Sequence, residues 1–331
     1  MARKNFIHAY DNIISVENLL LAWGEFLRGK KKKADVQSFQ MNLMDNILDL
    51  HQELKNKTYK HGAYYAFNIS DPKPRSIHKA LVRDRLLHHA LYRQLYPFFD
   101  NIFIADSYSC RENKGTHKAI GRFKEFCRQA SFGQTKTLHI LKCDIRKFFA
   151  SIDQAVLVRI LDEYIADKDI VDLLREIIGS FSAVREGVGL PLGNLTSQLL
   201  VNIYMNRFDQ FVKHRLKAKY YIRYADDFVV ISQDKKWLEE VLKEMGIFLK
   251  TELRLELHPD KVYVKTLASG VDFLGWVHFP YHRVLRTATR RKMFRRLAET
   301  DKEETRQSYL GMLSHGNAKK LASKINEKLV I

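Results

Sequence analysis

Two adjacent aspartates interrupt an apolar stretch of the sequence, YIRYADDFVV, at residues 221–230. The β-branched and aromatic residues on both sides of Asp226 and Asp227 predict two strands. Neighbouring residues of one strand point to opposite faces, so both carboxylates can serve one ligand only where the chain turns. The pattern therefore predicts a β-hairpin with an acidic tip.

A third aspartate, Asp144, ends the apolar stretch LHILKCD, which predicts another strand. Three such carboxylates would repel one another, so we expect a cation among them. Carboxylate oxygens suit Mg²⁺, which takes one or two of them and completes its shell with water and substrate phosphates. A two-metal site supports displacement at phosphorus, and this chemistry serves either nucleotide addition or nuclease cleavage. The carboxylates alone do not decide between these two reactions.

The charge balance of the chain indicates an anionic partner. Lys and Arg number 56 against 38 Asp and Glu, which gives a net charge of +18, and such a field attracts nucleic acid. The apolar runs are far shorter than the roughly 20 residues of a membrane span, and no signal-peptide pattern opens the sequence. The three cysteines form no CxxC pair, so neither disulfides nor a zinc site are predicted. We expect a cytoplasmic protein that does not contact a membrane.

Hydrophobic periodicity predicts the elements that must position the aspartates. Residues 1–60 predict helices, and residues 61–80 predict short extended segments. The stretch VRDRLLHHALYRQLYPFFD predicts a helix that stops at Pro97. Strands alternate with helices from residue 138 onward, and a pair of basic helices is predicted from about Thr289. This order predicts an α+β core with helical ends.

Five blocks of the sequence resemble the motifs of reverse transcriptases and follow the order of that family: DIRKFFASID, GLPLGNLTSQ, RYADD, HPDK and VDFLGW. The resemblance covers essentially the whole chain. It implies an α+β right-hand polymerase of fingers, palm and thumb, with an antiparallel palm sheet. The implied domains are a helical N-terminal extension at 1–60, fingers and palm at 61–277, and a thumb at 278–331.

The resemblance also implies roles for individual residues. The implied catalytic residues are Asp144, Asp226 and Asp227. The implied metal ligands are Asp144, Ile145, Asp226 and Asp227, for two Mg²⁺ ions that Mn²⁺ could replace. The implied dNTP-binding residues are Arg75, Lys73, Phe149, Leu192, Gly193, Gln198 and Lys261. The implied primer grip is Phe273, Leu274 and Gly275, and the implied template or primer contacts are Arg83, Arg85, Arg111, Arg290 and Arg291.

Two of these roles have a direct physical reason. An aromatic ring at Phe149, five residues after Asp144, would exclude a ribose 2′-hydroxyl by steric clash. The planar guanidinium of Arg75 suits the oxygens of a triphosphate. Alternatives stay open, since Phe149 could be a core residue beside Phe148, and lone arginines could be ordinary surface charges.

The segment LGNLTSQ indicates the subclass. Most relatives carry a QGxxxSP block there, whereas this sequence has Leu192 and Gln198 in place of the glutamine and the proline. That combination resembles the reverse transcriptases of diversity-generating retroelements, which copy a template RNA into cDNA with frequent errors opposite adenine. The cDNA then replaces a variable region of a target gene. A leucine cannot sense a mispair through a polar bond, which gives low fidelity a physical reason.

The resemblance also implies the partners of the protein, and alternative functions stay open. The implied partners are template RNA, primer or cDNA, dNTPs and a small basic accessory variability protein that forms a ring, in a bacterial, phage or archaeal cell. A retron or defence-associated reverse transcriptase is the first alternative. A maturase-like protein that only binds RNA and a two-metal nuclease are less favoured, because the acidic set is intact and a nuclease needs neither Phe149 nor Arg75.

Overall fold

The structure, a computed structural model, describes residues 5–70, 74–300 and 302–327. Within these ranges the helices are α1 Tyr10–Ile14, α2 Val16–Phe26, α3 Ala34–Met41, α4 Leu43–Lys55, α5 Val82–Asp100, α6 Thr116–Ala130, α7 Phe148–Ser151, α8 Gln154–Asp162, α9 Lys168–Gly179, α10 Leu195–Gln210, α11 Lys235–Leu253, α12 Thr287–Glu299, α13 Glu303–Leu313 and α14 Lys319–Glu327. The strands are β1 Tyr65–Ile69, β2 Arg75–Lys79, β3 His139–Asp144, β4 Tyr221–Tyr224, β5 Asp227–Ser232, β6 Tyr263–Thr266, β7 Val271–Phe273, β8 Trp276–His278 and β9 Arg283–Leu285.

The strands form three separate sheets, and all their pairings are antiparallel. The largest sheet has the order β4-β5-β3-β6, β1 and β2 form a hairpin, and the third sheet has the order β7-β8-β9. Antiparallel sheets accompanied by many helices confirm the predicted α+β class. No helix in the described ranges is both long and apolar enough to cross a membrane.

The chain divides into two compact units. The first unit contains the described residues up to Arg111, together with Ile145–Lys217 and Met245–Leu257. The second unit contains Glu112–Asp144, Ala218–Glu244 and the described residues from His258 onward.

In the first unit, α5 is the central helix and packs against α2 and α10. The helix α2 begins at Val16 because the side chain of Ser15 accepts a hydrogen bond from the backbone of Asn18 at 3.2 Å. In the same way, Asp153 accepts from the backbone of Val156 at 2.9 Å and caps α8. Serine and aspartate are both preferred residues at helix N-caps.

The prediction that α5 stops at Pro97 is wrong, because the helix continues through the proline to Asp100. A proline removes one backbone donor and its ring crowds the preceding turn, so a continuing helix needs compensation elsewhere. Apolar side chains on both sides of the proline supply it, since Leu95 and Phe99 are both buried. Packing of the helix face therefore outweighs the local preference of the proline.

In the second unit, the four-stranded sheet packs against α6. The third sheet and the last helices share an apolar cluster, whose buried members are Ile120, Trp276, Leu285, Met293, Leu313, Ala318 and Ile325. The prediction of a pair of basic helices here is corrected to three described helices. The turn between α13 and α14 contains Gly316, where any side chain would collide with the ring of Trp276.

Candidate active site

The four-stranded sheet of the second unit brings the three predicted aspartates to one edge. Asp144 ends β3 and lies directly opposite Asp227, the first residue of β5. Asp226 occupies the two-residue turn between β4 and β5, after Ala225, whose φ of 56° is left-handed. The predicted hairpin with an acidic tip is therefore present, and the strand end at Asp144 adjoins it.

Two lysines neutralise these acids. The Nζ atom of Lys142 lies 2.8 Å from Oδ1 of Asp227, with angles that make an ion pair rather than an aligned hydrogen bond. Lys261 donates a hydrogen bond of 3.0 Å from Nζ to Oδ1 of Asp144. The family motifs predict a role for Lys261 but none for Lys142. Its signal was a lysine inside an apolar strand, two residues before the strand-ending aspartate, which is a position where lysine is rare.

The electrostatics of the hairpin tip favour the entry of a cation. Burial raises the pKa of Asp226 above its ordinary value, and the neighbouring charge of Asp144 raises it further. Burial likewise raises the pKa of Asp227 to about 6, against the opposing effect of Lys142. Raised pKa values mean that the ionised carboxylates lack enough positive charge around them. A bound divalent cation would supply that charge.

The donors present match the chemistry of Mg²⁺ or Mn²⁺, because carboxylate oxygens are hard ligands. Among the described residues, no three His, Cys, Asp or Glu side chains are gathered closely enough to hold a metal ion. A magnesium site commonly needs only one or two carboxylates, so Asp144 and Asp226 suffice for it. Ile145, the carbonyl ligand implied by the resemblance, is buried and forms a backbone bridge with Leu257 in the first unit.

Several predicted nucleotide-binding residues lie in the first unit. Arg75 begins β2, is exposed, and makes no side-chain ion pair with the described residues. Lys73, its predicted companion, lies outside the described residues. Phe149 lies in the short helix α7 and is half-buried, with its ring 5.6 Å from that of the buried Phe148 in an edge-on arrangement. Phe149 is thus only partly covered, unlike its neighbour.

The loop of Leu192, Gly193 and Asn194 is hydrogen-bonded to β2, the strand that begins at Arg75. The backbone of His78 in β2 donates to the carbonyl of Leu192 at 3.0 Å, and Asn194 donates from Nδ2 to the carbonyl of His78 at 3.0 Å. Gly193 has a φ of 111°, and a Cβ there would lie 2.8 Å from a methyl group of Ile77. Gly193 therefore permits the close approach of the loop to β2. Gln198 follows in α10 and is half-buried.

Three arginines predicted to contact the template or primer are held by ion pairs within the first unit. These pairs are Arg83 with Glu53 at 2.8 Å, Arg85 with Asp35 at 2.5 Å and Arg111 with Asp100 at 2.6 Å. Arg111 also donates to the carbonyls of Ile104 and Ser107, and its side chain is only 5% exposed. Any phosphate contact of these arginines would require the ion pairs to exchange.

The predicted primer grip forms the turn of the β7–β8 hairpin in the second unit. Phe273 is fully buried, and its ring lies 5.4 Å from that of Phe123. Leu274 and Gly275 both have left-handed φ values, of 51° and 86°, which suit a tight turn. Elsewhere in this unit, α12 exposes Arg290 and Arg291. The structure thus gives the loop a rigid base and leaves the two arginines accessible.

Comparison with known proteins identifies the family. Residues 55–278 match the family described as reverse transcriptase (RNA-dependent DNA polymerase), which is more than half of the chain. The protein YkfC of Escherichia coli is 27% identical over 277 residues, which cover 72% of this chain and 70% of YkfC.

Two longer relatives are encoded in introns. The group II intron-encoded protein LtrA of Lactococcus lactis is 22% identical, over 71% of this chain and 51% of LtrA. A COX1/OXI3 intron 2 protein of Saccharomyces cerevisiae is 20% identical, over 61% of this chain and 31% of its own length. The chain thus spans about half or less of the length of these intron proteins. The extent of the family match leads to one conclusion: the chain belongs to the reverse transcriptase family, the RNA-directed DNA polymerases.

Proposed function

We propose that this chain copies a template RNA into cDNA in a magnesium-dependent reaction. The observation that carries the proposal is the acidic edge of the second unit, where Asp144 ends β3 beside the hairpin that carries Asp226 and Asp227. The end of β3 and the β4–β5 hairpin form one rigid framework because β3 and β5 are hydrogen-bonded neighbours. A carboxylate pair on such a framework can present metal ions to a phosphoryl group in a fixed geometry.

In the proposed mechanism, Asp144 and Asp226 would hold the metal ions, and the carbonyl of Ile145 would be a further oxygen ligand. Asp227 would complete the catalytic triad. When bound, the metal ions make the primer 3′-hydroxyl a better nucleophile and stabilise the charge on the phosphates. Lys261 already contacts Asp144 and would move its charge toward the departing pyrophosphate.

The residues of the first unit enter the proposal through their positions in the family motifs. Arg75 and Lys73 would donate to the triphosphate, where a guanidinium fork matches two oxygens at once. Phe149, which is half-buried, would exclude ribonucleotides because its ring would clash with a ribose 2′-hydroxyl. Leu192, Gly193 and Gln198 would line the region of the nascent base pair.

We also propose the fingers, palm and thumb arrangement with the boundaries 1–60, 61–277 and 278–331. The sheet β4-β5-β3-β6 would be the palm sheet, and the helices α12 to α14 would belong to the thumb. The turn at Phe273, Leu274 and Gly275 would hold the primer end.

Basic residues would hold the nucleic acid. The exposed Arg290 and Arg291 would contact its phosphates, in keeping with the net charge of +18. Weaker candidates for the template are Arg83, Arg85 and Arg111, whose ion pairs compete with any phosphate.

The proposed subclass is the reverse transcriptase of a diversity-generating retroelement, acting in mutagenic retrohoming with a small basic accessory variability protein in the cytoplasm of a bacterial, phage or archaeal cell. Leu192 and Gln198 support this subclass, because both replace polar or rigid residues of the usual motif. A retron or defence-associated reverse transcriptase is the alternative. Sequencing of the cDNA made on a defined RNA template distinguishes them, since errors concentrated opposite adenine are expected only for the first.

The proposed reaction is tested by primer extension on RNA with Mg²⁺ and dNTPs. We expect extension by the wild-type protein, with and without added accessory protein, and none by Asp226→Asn. The matched control is Asp45→Asn, which changes an exposed aspartate of α4 in the first unit. A wild-type protein that binds RNA but extends no primer under any of these conditions would favour the RNA-binding function instead.

A further inference from the structure

Lys142 is a buried charge that the proposed mechanism does not use. It lies in the middle of the apolar strand β3, and only 8% of its side chain is exposed. Both neighbours in sequence, Leu141 and Cys143, are completely buried. An ammonium group in such a place is costly to desolvate unless a partner compensates it, so its position requires an explanation.

The register of the sheet determines which carboxylate Lys142 can reach. Residues two apart on a strand share a face, so Lys142 and Asp144 point to the same side of β3. Asp227 lies opposite Asp144 on β5, and side chains of directly opposed residues also share a face. Lys142 is therefore the diagonal neighbour of Asp227, and its Nζ lies 2.8 Å from Oδ1 of that residue.

The two lysines at this edge differ in how firmly they are held. Lys261 contacts Asp144, but 47% of its side chain is exposed. Water can therefore solvate the ammonium group of Lys261 when a cation displaces it from Asp144. Lys142 is held more firmly, because only 8% of its side chain is exposed and moving it would leave Asp227 uncompensated. A cation can thus displace Lys261 from Asp144, whereas Lys142 stays paired with Asp227.

This difference divides the three aspartates into two groups. The carboxylate of Asp227 is committed to Lys142, and the pair carries no net charge. The carboxylates of Asp144 and Asp226 remain available to a cation once Lys261 moves away. Magnesium usually takes one or two carboxylates from a protein, so this pair is sufficient.

We propose that Lys142 is a positioning residue that keeps Asp227 out of the set of metal ligands, so that the site presents only Asp144 and Asp226 to its metal ions. This inference deepens the proposed function and rests on it. Lys142 fixes the hairpin tip through Asp227 and limits the negative charge of the site, and therefore its metal affinity.

The test measures the affinity of the protein for Mn²⁺ by electron paramagnetic resonance. The protein is free of nucleic acid, and no primer, template or dNTP is added. Lys142→Met frees Asp227 and adds one negative charge, so we expect Mn²⁺ to bind on the order of tenfold more tightly. Asp227→Asn leaves the lysine uncompensated beside Asp144 and Asp226, so binding should weaken on the order of tenfold. The double variant removes a neutral pair and should return to within about threefold of wild type.

If Lys142 had a purely structural role, Lys142→Met would not bind Mn²⁺ more tightly than wild type. The double variant would then not recover the affinity that Asp227→Asn loses. Weaker or unchanged binding by Lys142→Met overturns the inference, as does a double variant that binds no better than Asp227→Asn. Circular dichroism checks that each variant is folded, and if Lys142→Met alone does not fold, the comparison of Asp227→Asn with the double variant still decides. The control Asp226→Asn separates the two proposals: if it binds Mn²⁺ as well as wild type does, the proposed function itself is contradicted.

Discussion

The Nζ atom of Lys261 lies 3.0 Å from Oδ1 of Asp144, at the end of the strand that leads into the acidic edge. A lysine thus occupies the position in which a metal ion would compensate the same carboxylate. Lys142 compensates Asp227 in the same sheet at 2.8 Å. The two contacts have similar lengths but differ in exposure, and this difference leads to a prediction about stability.

We expect Lys142→Met to lower the free energy of unfolding by roughly 2–4 kcal/mol, because it leaves a largely buried carboxylate without its partner. Lys261→Met should lower it by less than about 1 kcal/mol, because exposed ion pairs are screened by water. Urea denaturation in the presence of a chelator, followed by circular dichroism, measures both values. Equal losses for the two variants would show that the burial of Lys142 has no energetic consequence.

Phe149→Ala should allow ribonucleotides into the product. The smaller side chain removes the clash with a 2′-hydroxyl, so we expect the preference for dNTPs over rNTPs to fall by roughly tenfold or more. Single-nucleotide incorporation with dNTP and rNTP gives the ratio of kcat/KM values. Phe132→Ala, which truncates an exposed phenylalanine, is the control. An unchanged ratio would favour the alternative that Phe149 is a core residue beside Phe148.

Leu192→Gln should reduce errors opposite adenine on a defined RNA template. The substitution restores a side chain that can hydrogen-bond near the nascent pair, and it keeps the backbone bond between His78 and the Leu192 carbonyl. Sequencing of the cDNA measures the error rate at each template base. Leu192→Met, which stays apolar, is the control and should keep the wild-type errors. The connection between Leu192 and fidelity fails if both variants misincorporate equally.

The stability of the protein should depend on pH through His278. This side chain is buried and its Nε2 lies 3.2 Å from the carbonyl of Phe273. Burial and the nearby Arg283 lower its pKa to about 4, against the opposing effect of the Phe273 carbonyl. The unfolded chain binds a proton near pH 6.5, whereas the folded chain does so only near pH 4, so stability is lost as the pH falls between these values.

The size of this effect should be roughly 3 kcal/mol at pH 4. Carboxylates titrate in the same range, so the measurement compares denaturation curves of wild type with those of His278→Gln, which keeps a donor but does not titrate. The difference in unfolding free energy between the two proteins should change between pH 6.5 and pH 4 and be constant above pH 7. A difference that does not vary with pH would contradict the assignment.

The acidic edge could be predicted from the sequence because its signals are local. The β-branched and aromatic residues on both sides of the two aspartates predict the hairpin, and the apolar run before Asp144 predicts the strand end. The pairing of Lys142 with Asp227 could not be predicted, because it depends on which residues of β3 and β5 lie opposite one another. The register of a sheet results from tertiary packing and does not follow from either strand alone.

The same distinction between local and distant signals explains the other differences. Ion pairs such as that of Arg85 with Asp35 join residues 50 positions apart, so the sequence could not distinguish a surface charge from a paired one. Pro97 lies inside α5 because buried neighbours hold the helix, although the local preference favours a stop. The break between the last two helices depends on the ring of Trp276, which lies on another element.

The most direct test of the central claim measures the incorporation of one dNTP on an RNA template under single-turnover conditions. We expect Asp144→Asn and Asp226→Asn each to slow incorporation by roughly a thousandfold or more, while affinity for the RNA–DNA duplex changes by less than about threefold. Circular dichroism would confirm that both variants are folded. If either variant incorporated the nucleotide at the wild-type rate, the acidic edge of β3 and the β4–β5 hairpin would not be the catalytic centre.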